Sequence, residues 1–232
     1  MFDITQLPLW AVLGTLLGVA AINYGLERSA NIIFAKLQRP LDGLRLPLRK
    51  VLLIALNLAL FPILGLRLGQ LHHLGNLPAA APWLISGIVL GIVVGALTYR
   101  MILTSDQGGA YAAMISRSPW PTLATVSILV GPAEDLFFLG ILQYTLAVRC
   151  GWIAIPIYLV SFVAYHYLNV LSGAESNREF VGMLPIRLAI AVILSLSFYA
   201  TGSLVYTYLI HNAFDTLNAL AVLTAVRQRG RT

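Results

Sequence analysis

Five residues set in apolar surroundings have the side chains for acid–base chemistry. Glu134 and Asp135 are adjacent in "GPAEDLFFLG" (131–140), His166 closes "FVAYH", and His211 and Asp215 stand four apart in "HNAFD". Carboxylates and imidazoles are the groups that activate water, relay protons and ligate metals near neutral pH. A carboxylate at mid-bilayer costs roughly 2.5–3.5 kcal/mol even on the lenient insertion scale, so such residues face a bundle interior or a wet cavity. A polar cluster that merely locks helices together is the plainer reading of any one of them. Three separate apolar segments, each contributing such groups, favour a chemical site.

Spacing supplies local geometry. Phe162 with His166, and His211 with Asp215, are four residues apart and share a helix face; Asn218 follows Asp215 on roughly the same face. Gly131-Pro132 interrupts the apolar run 121–148. Proline suits the first turn of a helix, and acids near a helix N-terminus interact favourably with its dipole. The sequence therefore predicts a helix that begins at Pro132 and carries Glu134 in its first turn. Residues 121–131 read either as a short or re-entrant helix or as part of one proline-kinked span. Irregular backbone at this depth is tolerated only where it lines a cavity or is packed by protein.

The elements that position these groups follow from composition. Of 232 residues, 59% are hydrophobic and 10% charged, against about 25% charged in a soluble domain. This predicts an all-α, polytopic membrane helix bundle forming a single domain over residues 1–232. Helices need roughly 20 apolar residues to cross. Spans are expected near 9–26, 51–66, 83–99, 121–148, 152–171, 186–200 and 203–224, with an eighth if 121–148 divides. The first run lacks a basic lead and a small-residue cleavage site, which predicts a retained span. The lone cysteine, Cys150, excludes an intrachain disulfide.

Between spans, "NIIFAKL" (31–37) reads as a short interfacial helix or an ordinary basic loop, and "GNLPAAAP" (75–82) and "SDQGGA" (105–110) read as loops. Gly14 with Gly18, and Gly87, Gly91 and Gly95, form small-residue grooves suited to close packing inside the bundle or to a homodimer seam.

The net charge of +6 is a topology signal, not a nucleic-acid one. With seven spans, thirteen of the fifteen basic residues fall on one side, and only Arg67 and Arg149 fall on the other. The positive-inside rule makes the richer side cytoplasmic, with the N-terminus outside and the C-terminus inside. Thirteen Arg against two Lys suggests a GC-rich prokaryotic genome and hence a prokaryotic cell membrane.

The ordered motifs resemble the CPBP family of intramembrane proteases, which includes CAAX prenyl endopeptidases and bacteriocin-processing proteins. Its first motif, E-E-x-x-x-R-G, is similar to Glu134-Asp135-Leu136-Phe137-Phe138-Leu139-Gly140, with Asp135 in place of the second Glu and Leu139 in place of Arg. Its F-x-x-x-H motif is met by Phe162 to His166, and its H-x-x-x-N/D motif by His211 to Asp215. The resemblance covers about residues 120–220, the expected catalytic core. It implies an endopeptidase acting on a membrane-associated protein, peptide, C-terminal tail or sorting signal within the lipid bilayer.

In that reading Glu134 is the general base on water and His166 shares the water. His211 donates to the oxyanion, Asp215 orients His211, and Asp135 is a supporting acid. No cofactor is required as first choice. Zn²⁺ is the alternative, held by Glu134, His166 and His211 with an open water position. Readings from other classes are a proton-coupled transporter, since buried Glu, Asp and His also form proton relays, and a catalytically weak membrane scaffold, raised by Leu139.

Overall fold

A segment apolar on every side satisfies its backbone internally as a helix and turns its side chains to lipid. The computed structural model, which describes residues 3–36, 42–104, 109–171 and 175–230, follows that rule. The described residues form helices α1 (Leu9–Lys36), α2 (Arg45–Ile63), α3 (Leu77–Thr104), α4 (Gly109–Arg117), α5 (Pro119–Ile128) and α6 (Val130–Asp135). A π-helical segment, Leu136–Gln143, leads into α7 (Tyr144–Cys150), α8 (Ala154–His166), α9 (Leu168–Leu171), α10 (Asn177–Thr201) and α11 (Leu204–Arg229). The described residues contain no strand. The chain is an all-α polytopic membrane bundle whose outer face is apolar: Trp10, Leu17 and Val160 are at least 70% exposed.

Six stretches among the described residues are long and apolar enough to cross a bilayer. One of them, Val130–Leu171, has 42 residues and folds as two antiparallel legs. Gly151, at φ 59°, turns the chain, and the ring of Phe138 then packs against Tyr158, Phe162 and Tyr165 on the returning leg. The bundle thus has seven legs among the described residues. The ten residues of α5 are too short to cross alone, since about 20 are needed.

Several boundaries differ from those read in the sequence. The "GNLPAAAP" stretch is not a loop beyond Asn76: α3 begins at Leu77, with Pro78 in its first turn, where a missing N–H is harmless. "NIIFAKL" is no separate helix through residue 36, because α1 runs unbroken to Lys36; Leu37 lies outside the described residues. Of "SDQGGA", residues 105–108 lie outside them too, and Gly109 opens α4. α2 starts at Arg45, six residues before the apolar run, so Arg49 and Lys50 are helical.

The core is stitched by a few polar pairs. Asn23 of α1 and Asn57 of α2 exchange amide hydrogen bonds of 3.1 and 2.9 Å. Gln143 and Ser195 pin the π-helical segment to α10 through bonds of 3.0 and 2.9 Å. Helix α11 packs most extensively on α3. A Cβ on Gly87 would stand 2.6 Å from Ile210, on Gly91 2.9 Å from Leu217, and on Gly95 3.2 Å from the Leu217 carbonyl. That groove is used inside the bundle, and it lets α3 press against the helix bearing His211 and Asp215. Gly14 and Gly18 have nothing within 4 Å of such a Cβ, and their face of α1 is open.

Candidate active site

The helix break lies two residues earlier than Gly131-Pro132 suggests. α5 ends at Ile128, Leu129 links, and α6 starts at Val130, so Glu134 falls beyond the first turn. The first N–H groups of a helix lack intrahelical partners. Here Gly131 N–H donates to Asn212 Oδ1 at 2.9 Å, and Asn212 Nδ2 donates to the Ile128 carbonyl at 3.4 Å. One side chain on α11 thus satisfies both sides of the break. Only glycine permits the approach, since a Cβ at residue 131 would sit 2.7 Å from Asn212 Oδ1.

Just past the break, α6 turns Glu134 and Asp135 inward, 8% and 0% exposed. Asp135 Oδ1 accepts from His211 Nδ1 at 2.9 Å. The other imidazole nitrogen, Nε2, lies 3.9 Å from both Glu134 Oε2 and Asp215 Oδ2. The expected role of Asp215 is therefore corrected. Helical spacing put it on the right face, but the carboxylate within hydrogen-bond reach of His211 is Asp135, from another helix. Asp215 borders the same nitrogen from further away.

His166 ends α8. Its Nδ1 lies 2.9 Å from the Phe162 carbonyl, one turn back. A carbonyl only accepts, so Nδ1 carries the proton and Nε2 is left as the acceptor nitrogen. The Phe162 ring lies between the two imidazoles, with centroids 4.5 Å from His166 and 6.3 Å from His211. His166 is within electrostatic reach of Glu134.

The sequence reading missed one member of this group. Lys50 of α2, 5% exposed, places Nζ 2.8 Å from Glu134 Oε1. Leu139, in the position where the motif has Arg, is fully buried in the apolar core. The cation beside the acid pair comes from α2 instead.

One cavity adjoins Glu134 and a second shares walls with it. A small one of about 10 Å³, the room of a single water molecule, is bounded by Glu134, Ala133, Asn23 and Tyr165. A second, of about 390 Å³, lies between α1 and α8 and is almost wholly apolar, with Leu16, Ala20, Leu142 and Ala164 in its walls. Asn23, Phe137, Phe138 and Tyr165 border both. Tyr165 O–H donates to Glu27 of α1, which pairs with Arg49 of α2 at 3.3 Å, so a polar clasp joins the three helices beside the site.

Residues 116–217 match the family model described as type II CAAX prenyl endopeptidase, Rce1-like. This segment is similar to the CAAX protease family. No curated protein and no solved structure matches the chain. Within the CAAX-protease segment fall Glu134, Asp135, His166, His211, Asp215 and the Asn212 clamp, whereas Lys50 and the α1 wall of the larger cavity lie outside it.

Among the described residues, no group of three or more His, Cys, Asp or Glu side chains is arranged to hold a metal ion. An ammonium, from Lys50, occupies the Oε1 side of Glu134.

Proposed function

We propose that the protein is a glutamate-dependent intramembrane endopeptidase that cleaves a membrane-associated peptide or C-terminal tail without a metal. The observation that carries this reading is the water-sized cavity against Glu134, a carboxylate whose Oε2 lies 3.9 Å from His211 Nε2. The match of residues 116–217 to the CAAX prenyl endopeptidase model supports the same class of activity.

Peptide hydrolysis needs an activated water and a stabiliser for the developing oxyanion. Lys50 engages Glu134 Oε1, so Oε2 is the oxygen that takes the proton of water. His166 Nε2 holds the same water in line. The oxygen bonds to the scissile carbonyl carbon, and the carbonyl electrons become an oxyanion. His211, oriented by Asp135 and carrying a proton on Nε2, donates to it. The C–N bond then breaks, and the proton held by Glu134 passes to the leaving amine. Asp215, near the same nitrogen, balances the charge on His211.

The apolar cavity between α1 and α8 opens beside these groups, which suits a substrate whose lipid chain or apolar tail enters from the bilayer. The distribution of basic residues supports a cytoplasmic C-terminus in a prokaryotic cell membrane.

The test is reconstitution in liposomes with a panel of prenylated and unprenylated tail peptides, products read by mass spectrometry. Cleavage by the wild type and its loss in Glu134→Gln are expected. Proton or solute flux without cleavage would establish the transporter reading in its place.

A further inference from the structure

The lysine that reaches Glu134 comes from outside the family segment, and its chemistry is specific. Lys50 and Glu134 side chains are 6% and 9% exposed. A carboxylate isolated in an apolar interior is neutralised by taking up a proton rather than staying charged, and a protonated Glu134 could not accept a proton from water. The other charged and titratable groups facing Glu134 are Asp135 beside it, His166 on α8, and His211 and Asp215 on α11. Two of these are further carboxylates. Within α6 and the π-helical segment, Leu136 to Leu142 are all apolar, and Leu139 is fully buried.

From this arrangement we infer that Lys50 is the positioning residue of the active site. Its ammonium keeps Glu134 ionised and, by engaging Oε1 alone, leaves Oε2 as the basic oxygen. The role follows from the 2.8 Å contact and from the point-charge character of an ammonium, which binds one oxygen where a guanidinium forks across two. Lys50 touches neither water nor peptide; it acts through Glu134. The inference rests on Glu134 being the base.

The experiment compares the wild type with Glu134→Gln, Lys50→Met, Lys50→Gln and Lys50→Arg, each shown to be folded by thermal unfolding in detergent. The first readout is the infrared carbonyl stretch of a protonated carboxylic acid at pH 7, assigned to Glu134 by its absence when Glu134→Gln is combined with the Lys50 substitution; this needs no substrate. The second is cleavage of a quenched peptide ending in S-farnesylcysteine and three further residues, in liposomes. Lys50→Met and Lys50→Gln are expected to show the acid band and to lose about 100-fold in kcat with little change in KM, the scale of a general base taken out of action. Lys50→Arg is expected to lack the band and, because its guanidinium forks across both oxygens, to recover only part of the activity lost in Lys50→Met.

Two results overturn the inference while leaving the protease reading intact: a charge-removing variant that cleaves like the wild type although Glu134→Gln is inactive, or one that is slow but shows no acid band. Cleavage at the wild-type rate by Glu134→Gln removes the reading on which the inference stands. If Lys50→Met does not fold, Lys50→Gln, which retains an N–H toward Glu134, decides the matter.

Discussion

Asp135 Oδ1 and His211 Nδ1 meet at 2.9 Å across 76 residues of chain. Asp135 is fully buried, and its Oδ1 is spent on fixing the ring. Partners of this kind set the tautomer and orientation of a functional imidazole, and losing one typically costs 10–100-fold. Asp135→Asn is expected to lower kcat by about that factor with KM nearly unchanged. The measurement is steady-state cleavage in liposomes. A variant at wild-type kcat would show that His211 needs no such partner.

Gly131 and Asn212 form a lock at the α5–α6 break. Adding a methyl at 131 brings carbon to 2.7 Å from Asn212 Oδ1. Gly131→Ala is expected to destabilise the fold by about 1–3 kcal/mol, the usual range for overpacking. Asn212→Ala removes the clashing oxygen but orphans the Gly131 N–H. The double variant should therefore be more stable than the sum of the two single losses implies. Thermal unfolding of all three in detergent gives the coupling, and strict additivity would rule out a direct clash.

The cavity between α1 and α8 makes a prediction about substrate choice. Ala20 and Ala164 face it from opposite walls. Replacing either with Phe should reduce kcat/KM for a lipidated tail peptide by about tenfold, the effect of a few methylenes' worth of lost pocket. Unlipidated peptides should be cleaved nearly as before. An equal loss on both substrates would mean that the cavity does not hold the lipid.

Chelation separates the two chemistries considered for this residue set. Activity is expected to survive exhaustive treatment with 1,10-phenanthroline or EDTA, and added Zn²⁺ should not raise it. Loss on chelation with recovery on Zn²⁺ would reinstate the metal reading for Glu134, His166 and His211.

The acids and histidines were legible because charge is conspicuous in hydrocarbon-length segments. Helical spacing correctly put Asp215 on the face of His211, yet it could not name the partner of Nδ1, which arrives from α6. Lys50 escaped notice for a related reason. It is the last charged residue before an apolar run, so it reads as the end of a loop, whereas the helix starts five residues earlier. Asn212 was overshadowed by the histidine beside it; an amide flanked by motif residues opposite a Gly-Pro break was the available signal. Gly87, Gly91 and Gly95 carried a pattern whose partner could not be told from sequence, because a small-residue groove looks the same whether its neighbour is another helix of the chain or another copy.

The π-helical turns from Leu136 to Gln143 accommodate one residue more per turn than an α-helix does. Such a stretch behaves as a phase shifter between two rigid rods. Upstream, the azimuth of Glu134 and Asp135 is set by the lock to α11; downstream, Tyr144 to Cys150 are indexed by Gln143 against Ser195. Deleting one residue within the stretch would let it rewind as ordinary α-helix with both ends still in place. The leg has a built-in allowance for a length change, and the catalytic end and the far end of the same helix are free to diverge in sequence independently.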